Sequence, residues 1–364
     1  MIPMFLERLG MKLLLSVDAE TAHGLSITAM KMGLVPACRI PPDPRLSQTV
    51  AGLAFPNPLG MAAGYDKNCE VPDALFSIGF GFAEAGTVTP RPQPGNPKPR
   101  IFRLPADRGV INRLGFNNEG HAACLARMEA RRGKGGIVGI NIGANKDSED
   151  RVADYVKGIV TFSHLASYFT INVSSPNTPG LRNLQSRQSL AELLTRARDA
   201  RNSTASGDGR TVPLFLKVAP DLSEQELDDI AGEVLDKGTE GLIVSNTTLA
   251  RDGLMDAETG KQAGGLSGRP VFERSTTVLA KLRRRVGPDL PIIGVGGVEN
   301  GETAMEKIRA GADLVQLYSC MIYSGPGLPA KILREMSAIL DLDGVTSLGD
   351  LKGSTTDQWA SRPL

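Results

Sequence analysis

The sequence predicts an α/β fold, a (β/α)8 barrel of the TIM type preceded by an extension of two helices. Eight short apolar runs recur beyond residue 50, and segments of helical composition separate them. Near-continuous apolar strands that alternate with helices are typical of a parallel sheet buried on both faces. No run is followed by GxGxxG at the start of a helix, so eight such units fit a barrel better than a doubly wound sheet.

The N-terminal segment, residues 1–42, is predicted to form an amphipathic helical arm. Apolar residues recur at helical spacing over 4–14 and again over 25–34, and Asp18 between them is a candidate N-cap. Such an arm either packs on its own domain or forms an interfacial site for a membrane or a lipophilic ligand. The residues alone favour the packed arm.

The barrel is predicted over residues 43–340. Its strands are expected at 58–62, 81–87, 137–143, 168–174, 212–219, 241–246, 291–297 and 314–319. Helices are expected between them at 118–132, 187–201, 223–237, 271–285 and 302–310.

Two connections are unusually long, 88–117 and 247–270. Both follow the carboxyl ends of strands, where barrel enzymes build their sites, and loops of this length usually act as lids. The final segment, 341–364, is a polar tail without clear periodicity, and we expect it to extend over the surface.

Composition excludes several classes of protein. With 41 Lys and Arg against 40 Asp and Glu, the net charge is +1. A nucleic-acid binder usually carries a basic face, so this balance argues against that class.

The four cysteines form no CxxC pair, which favours a reducing compartment without a disulfide framework. The three histidines lie far apart, so we expect no metal site. No apolar run is long enough to span a bilayer or to serve as a secretory signal.

Polar side chains follow successive predicted strands, at the end where a barrel opens. Asparagines and hydroxyl residues close the second, third, fourth and sixth strands at Thr87, Asn141, Asn172 and Ser245. Any one of them is a common turn former. Several together suit a flat ligand edged with alternating C=O and N–H groups, because an amide both donates and accepts.

Lys217 lies within the fifth strand between apolar neighbours. A lysine that points into a barrel mouth is costly unless it meets an anion. It is therefore a Schiff-base nucleophile, a fixed positive charge beside an electron-rich cofactor, or a side chain that reaches the outer surface.

Glycines follow the seventh strand at 294–297, and Tyr318-Ser319 closes the eighth. Barrels often bind a phosphate at these two places, on exposed backbone N–H groups. The glycine-rich 264–268 in the long sixth loop is placed to close such a site.

These residues lie within ten stretches that together resemble the dihydroorotate dehydrogenase family, in its quinone-linked, membrane-associated class. They run in family order from residue 57 to 319, and the most specific pair is INRLGFNN with NVSSPNTPG. The second of these belongs to the longer stretch INVSSPNTPGLR. The other eight stretches are NPLGMAAGYDKN, EAGTVTPRPQPGNPKPRIFRLP, GINIGANK, LKVAPDLS, SNTTLARDG, GGLSGRP, IIGVGGV and LVQLYS. Beyond about residue 340 we recognise no counterpart.

The resemblance implies FMN at the barrel mouth, dihydroorotate beside it, and an arm that contacts the membrane and admits a quinone. The residues implied for FMN are Ala63, Gly64, Lys67, Thr87, Asn141, Asn172, Lys217, Ser245, Gly268, Gly297, Tyr318 and Ser319. Those implied for dihydroorotate are Lys67, Asn112, Arg113, Leu114, Gly115, Phe116, Asn172, Asn177, Asn246 and Thr247.

The resemblance also implies the catalytic roles. Ser175 stands where the quinone-linked class has a serine base and the soluble classes a cysteine. Thr178 and water near Phe116 would relay its proton, and Lys217 would stabilise negative charge at N1–O2 of the flavin. Ser245 departs from the threonine of many relatives but keeps the hydroxyl.

Two rival functions stay open on the sequence, with a non-catalytic binding barrel as a weaker third. One is a soluble dihydroorotate dehydrogenase that uses fumarate or NAD, against which Ser175 and the arm both speak. The other is a phosphate-binding aldolase or isomerase with Lys217 as Schiff-base residue. We expect the protein at the cytoplasmic face of a bacterial membrane, because the targeting segment and spanning helix of a mitochondrial relative are not found. The resemblance to the family implies a monomer.

Overall fold

The computed structural model describes residue 10 and residues 13–38, 41–205 and 211–364. The strands in chain order are β1 (Gln48–Val50), β2 (Leu53–Phe55), β3 (Leu59–Met61), β4 (Phe82–Val88), β5 (Ile101–Leu104), β6 (Gly109–Asn112), β7 (Ile137–Ile142), β8 (Tyr168–Asn172), β9 (Leu214–Val218), β10 (Gly241–Val244), β11 (Gly265–Gly268), β12 (Ile292–Val295) and β13 (Leu314–Leu317). Within the described residues, eight of them are parallel and close into a barrel in the order β3, β4, β7, β8, β9, β10, β12, β13 and back to β3. The predicted (β/α)8 barrel is confirmed.

Helices connect the strands and cover the outside of the barrel. They are α1 (Ala19–Lys31), α2 (Pro72–Ser77), α3 (Gly120–Ala130), α4 (Arg151–Phe162), α5 (Arg187–Ser203), α6 (Glu224–Lys237), α7 (Ala257–Gly260), α8 (Phe272–Val286), α9 (Gly301–Arg309), α10 (Ser319–Ser324), α11 (Leu328–Asp343) and α12 (Thr356–Ala360). Local sequence sets their ends. Ser223 and Glu226 form a capping box before α6, and Gly238 ends that helix in the left-handed conformation.

The amino end of the barrel is closed by apolar side chains. The β1–β2 hairpin places Phe55 against Phe82, with ring centroids 5.1 Å apart, and Tyr168 and Phe215 fill the space behind them. A barrel plugged at this end leaves the opposite, carboxyl end as its open face.

The two long loops meet over that open face. Residues of both loops pair into a small antiparallel sheet in the order β11, β6, β5. Loop length indicated that they act as lids, but their pairing was not predicted because β11 is a four-residue segment with two glycines, a weak strand signal.

Part of the predicted arm lies outside the described residues, including most of its first helix. Residues 13–16 are helical, and α1 begins at the predicted cap, where Asp18 accepts from the backbone N–H groups of Glu20 and Thr21. Of the helices in the described part of the chain, none combines the length and the apolar composition needed to cross a membrane.

The C-terminal segment packs on the barrel, so the expectation of a surface extension is wrong. Helix α11 continues to Asp343, and Leu348 and Trp359 are buried. The Trp359 ring stands edge-on to Phe272 at 6.1 Å, and its indole N–H donates to Glu306. Two apolar residues spaced eleven apart carry no periodic signal, which is why the sequence did not predict this contact.

Candidate active site

A continuous cavity opens at the carboxyl ends of the barrel strands and extends beneath the arm. Its lining at the mouth includes Asn172, Ser175 and Lys217, and its lining at the arm includes His23 and Met30. One cavity therefore joins a polar floor to an apolar passage.

An amide network fixes the polar floor across three neighbouring strands. The Thr87 hydroxyl donates to Asn141 Oδ1 at 2.5 Å, and Asn172 Nδ2 donates to Thr87 Oγ1 at 2.9 Å. Asn172 Oδ1 accepts from the Ser174 hydroxyl, which in turn accepts from Asn246 Nδ2, both at 2.9 Å. Because each side chain is held by its neighbours, the floor is rigid before any ligand arrives.

Glu84 lies fully buried inside the barrel, beneath this network. It accepts from Asn141 Nδ2 at 2.7 Å, from Gln316 Nε2 at 2.8 Å and from the Tyr168 hydroxyl at 3.2 Å. Lys217 is also buried. Burial lowers the pKa of Lys217, and the charge of Glu84 opposes that shift. Glu84 is therefore an acidic neighbour that favours the charged form of this buried lysine.

The loop after β8 carries Ser175, whose Oγ accepts from the backbone N–H of Asn177 at 3.2 Å. Arg182 holds this loop in place. It donates to the carbonyls of Ser174 and Thr247 at 3.0 Å each and pairs with Asp221 at 3.0 Å. The same guanidinium thus fixes the loops that follow β8 and β10.

The segments after β12 and β13 form a shallow cradle on the other side of the mouth. Gly297 has φ +76°, and a Cβ there would lie 2.4 Å from the Cβ of Phe272. Ser275 donates to the Gly296 carbonyl at 3.2 Å and accepts from the fully buried Lys307 at 2.6 Å. Glycine is required here because only a chain without Cβ lets the backbone lie this close to α8.

The stretch that precedes α3 lies over the mouth in an unusual conformation. Gly115 and Phe116 both have positive φ, +72° and +54°. Gln93 Nε2 donates to both of their carbonyls, at 3.2 and 3.1 Å, and Asn118 Nδ2 donates to that of Phe116 at 2.8 Å. A non-glycine residue is held in this region only where its surroundings fix it.

His23 of α1 connects the arm to the mouth. Its Nε2 lies 3.1 Å from Lys67 Nζ, and its Nδ1 lies 3.2 Å from the Tyr318 hydroxyl. Burial, together with the charge of Lys67, lowers the pKa of His23 to about 3. Burial also lowers the pKa of Lys67 to about 8. At neutral pH the imidazole is therefore uncharged, and Lys67 carries the positive charge.

Most of the residues predicted for the site line this one cavity. They are Ala63, Gly64, Lys67, Thr87, Asn112, Leu114, Gly115, Phe116, Asn172, Ser175, Asn177, Lys217, Ser245, Asn246, Thr247, Gly268, Gly297, Tyr318 and Ser319. Three lie outside its lining: Asn141 is bonded to Thr87, Thr178 is buried, and the Arg113 guanidinium packs on the Phe102 ring.

Sequence reasoning missed the residues that hold the site from behind. Glu84 sits inside an apolar run, and His23 is one polar residue of an amphipathic helix, so neither stood out. Gln93 and Arg182 act on backbone carbonyls, and a sequence gives no signal for that kind of contact.

A closed parallel barrel whose polar side chains converge at the carboxyl ends of its strands defines the class, a (β/α)8-barrel enzyme. Comparison with known proteins gives the family. The family model described as dihydroorotate dehydrogenase matches residues 45–340. Dihydroorotate dehydrogenase (quinone) of Rhizobium johnstonii is 64% identical over 358 residues, which cover 98% of this chain and 99% of that protein. The protein of the same name from Agrobacterium fabrum is 64% identical over 355 residues, 98% of each chain.

Solved structures agree with these relatives. The crystal structure of DHODH from Eimeria tenella in complex with ferulenol superposes with a TM-score of 0.89 at 39% identity, over 94% of this chain and 96% of that one. The ligand-free structure gives the same TM-score over 95% and 100%. This chain belongs to the dihydroorotate dehydrogenase family. Since the curated relatives match 98% of its length, the C-terminal segment beyond residue 340 has a counterpart in them.

Proposed function

We propose that this chain oxidises dihydroorotate to orotate in pyrimidine biosynthesis, with FMN as its flavin and a membrane quinone as the final electron acceptor. The observation that carries the proposal is the cavity that joins the polar mouth to the arm. Such a cavity gives a polar substrate and an apolar oxidant separate approaches to one cofactor. The family and the quinone in the names of the relatives support the same reading.

The mouth fits FMN. A phosphate binds where backbone N–H groups are accessible to it. Backbone lines the cavity at Gly296 and Gly297, which both have positive φ, and at Ser319, where α10 begins. Lys217 and the amide of Asn172 would face the polar edge of the ring system. Asn141 would act indirectly, because it holds Thr87, which in turn bonds Asn172. FMN bound there would supply the hydride acceptor that the oxidation of dihydroorotate needs and that a quinone can reoxidise.

The side chains around it bind and position the substrate. The Lys67 ammonium would pair with the substrate carboxylate, and Asn112, Asn177 and Asn246 would match the donors and acceptors of the pyrimidine ring. Asn177 Nδ2 already donates to Asn112 Oδ1 at 3.3 Å, so the loop after β8 is in contact with the end of β6 in the first lid loop.

Ser175 would accept the proton from C5 of the substrate while the hydride leaves C6. A serine is a weak base, so the proton must move on, and Thr178 with water near Phe116 would relay it. Lys217, which feels the charge of Glu84, would stabilise the negative charge that gathers on the flavin.

The arm would bring the quinone to the mouth at the cytoplasmic face of a bacterial membrane, with the protein as a peripheral monomer. Leu13, Leu25, Met32 and Leu34 are more than half exposed on it, an unusual concentration of large apolar side chains for so short a segment. Arg103 of β5 donates to the backbone carbonyls of residues 14, 15 and 17, which holds this part of the arm against the strand.

The test is an anaerobic visible spectrum of the purified protein before and after dihydroorotate. A flavin band that bleaches, and returns with a quinone but not with fumarate or NAD, is the expected result. Return with fumarate or NAD would point to a soluble-type enzyme. A protein that stays colourless with added FMN, and whose Lys217 is trapped by borohydride with a sugar phosphate, would replace the proposal with an aldolase.

The variant Ser175→Ala tests the base. We expect it to keep its flavin and to lose flavin reduction by about 10²-fold or more, the usual contribution of a general base. Ser163→Ala, at a half-buried serine directly after α4, is the matched control and should reduce its flavin at the wild-type rate. An unchanged rate in Ser175→Ala would remove the base assignment while leaving the flavin assignment standing.

A further inference from the structure

Two cysteines from separate elements meet in the core beside the turn that carries Lys67. Cys69 lies in that turn and Cys124 lies in α3. Their Sγ atoms are 2.7 Å apart, and the residues are 4% and 1% exposed. The two positions are 55 residues apart in the chain, so the fold alone brings them together.

This spacing favours a direct bond between the two sulfurs. Carbon atoms in ordinary contact are already about 3.5–4.0 Å apart, and sulfur is larger, whereas sulfurs in a disulfide are about 2.05 Å apart. Two thiolates on a tetrahedral zinc, each about 2.3 Å from the metal, would stand farther apart than these two do. The pair therefore lies closer to a covalent bond than to a metal site.

The backbone of the turn aims Cys69 at its partner. Cys69 has φ +58°, a conformation that residues with a Cβ seldom adopt. The Asp66 carboxylate holds it there, because it accepts from the backbone N–H groups of Asn68, Glu70 and Val71 at 3.3, 2.8 and 2.9 Å. Asn68 fixes the turn to α3, since its Oδ1 accepts from the Glu119 N–H at 3.0 Å.

We propose that Cys69 and Cys124 are a reversible disulfide site that joins the Lys67 turn covalently to α3. The site is independent of the proposed function, because it rests on the thiol pair and not on any ligand. The same turn also carries two of the arm contacts, Lys67 with His23 and Glu70 with Lys31. A bond to α3 would thus fix the base on which the arm is docked.

The chemistry is thiol–disulfide exchange with a small disulfide such as oxidised glutathione. The thiolate of one cysteine attacks the reagent and releases one glutathione, and the thiolate of the other attacks the mixed disulfide and releases the second. Two protein thiols are oxidised, one reagent disulfide is reduced, and the two thiol protons go to the departing glutathiones. Burial raises the pKa of Cys69, so exchange is slow and the test must run to equilibrium.

The experiment uses the flavin-loaded protein, incubated in a series of glutathione buffers and quenched in acid. Remaining thiols are alkylated under denaturing conditions and mapped by peptide mass. We expect alkylation of Cys69 and Cys124 to disappear together and a peptide that joins them to appear. The change should reverse in excess reduced glutathione, and Cys320, a third buried cysteine, should stay alkylated throughout.

The bridge would close a loop that contains β4 and the long connection with Phe116, so it restricts the unfolded chain. The oxidised protein should have a midpoint of thermal unfolding at least about 2 °C above the reduced protein. Turnover should change by less than about twofold, because the sulfurs need to move by less than about 1 Å to bond.

Two control variants separate this site from general oxidation. Cys124→Ala should lose both the joined peptide and the redox-dependent shift in unfolding midpoint, and Cys320→Ala should keep both. Persistent alkylation of both thiols in the most oxidising buffer would overturn the proposal. So would glutathione attached to either cysteine in place of the joined peptide.

Discussion

The barrel mouth and the arm line one cavity, but they are held in different ways. The polar floor of the mouth is buried and is fixed by hydrogen bonds between side chains on neighbouring strands, those of Thr87, Asn141 and Asn172. The arm packs Ile27 and Met30 on the core of the barrel, adds polar contacts at its edges such as Glu20 with Arg100, and keeps several other large apolar side chains exposed.

The difference teaches how one enzyme serves two unlike substrates. A reaction that develops charge gains from dipoles that are already in place. A passage for a lipophilic oxidant gains from apolar surface that can adjust to it. We therefore expect changes at the mouth to affect the chemistry of the flavin with dihydroorotate, and changes in the arm to affect only reoxidation.

The largest effect is expected for Lys217→Met at the mouth. Loss of the positive charge should slow flavin reduction by dihydroorotate by about 10²- to 10³-fold, the usual effect of removing one preorganised charge-stabilising group. Stopped-flow absorbance under anaerobic conditions measures that rate. Reoxidation by quinone should change far less, and an equal loss in both half-reactions would break the comparison.

The same variant leaves Glu84 buried without its counter-charge, which destabilises the fold. The double variant Glu84→Gln with Lys217→Met separates the two consequences. We expect it to recover much of the lost thermal stability while flavin reduction stays slow. Recovery of the rate as well would show that Lys217 acts on stability alone.

An intermediate effect is expected from pH, through Lys67 at the junction of the two regions. Since the pKa of Lys67 is about 8, the ammonium is charged below that pH and becomes neutral above it. The kcat/KM for dihydroorotate should therefore fall about tenfold for each pH unit above about 8. The profile of Lys67→Met should be low and flat over this range, and a wild-type profile that is flat to pH 10 would contradict the assignment.

The smallest effect is expected for Glu20→Gln in the arm. It removes the carboxylate that pairs with Arg100 at 2.7 Å. In the wild type, the hydrogen bond from Arg100 lowers the pKa of Glu20 and so favours its charged form. Loss of about 1 kcal/mol of docking should raise KM for quinone about fivefold and leave flavin reduction unchanged. Glu192→Gln, in the exposed pair with Arg196, should match the wild type in both half-reactions. A slower flavin reduction in Glu20→Gln would show that the two regions are not separable.

The sequence predicted the barrel well because its signals are periodic. Strand-length apolar runs with polar residues at their ends identified both the order of the strands and the side of the barrel that carries the site. The predicted strand at 168–174, for example, contains β8 and ends at the loop of Ser175.

Contacts that depend on the third dimension were not predicted. Glu84 is one acidic residue in an apolar run, and only the closed barrel shows that Gln316, 232 residues away, donates to it. Gln93 is read from sequence as part of a proline-rich loop, and only the folded lid shows that it holds Phe116. Tail residues such as Trp359 lack any period, so their burial was missed.

The bond between His23 and Tyr318 also has a consequence for the order of events at the ribosome. The two residues are separated by 295 positions, so at about 5–20 residues per second the arm waits about 15–60 s for its partner to be made. During that interval its apolar side chains have no finished barrel to cover them. A membrane near the site of synthesis would be the first apolar surface that the new chain meets.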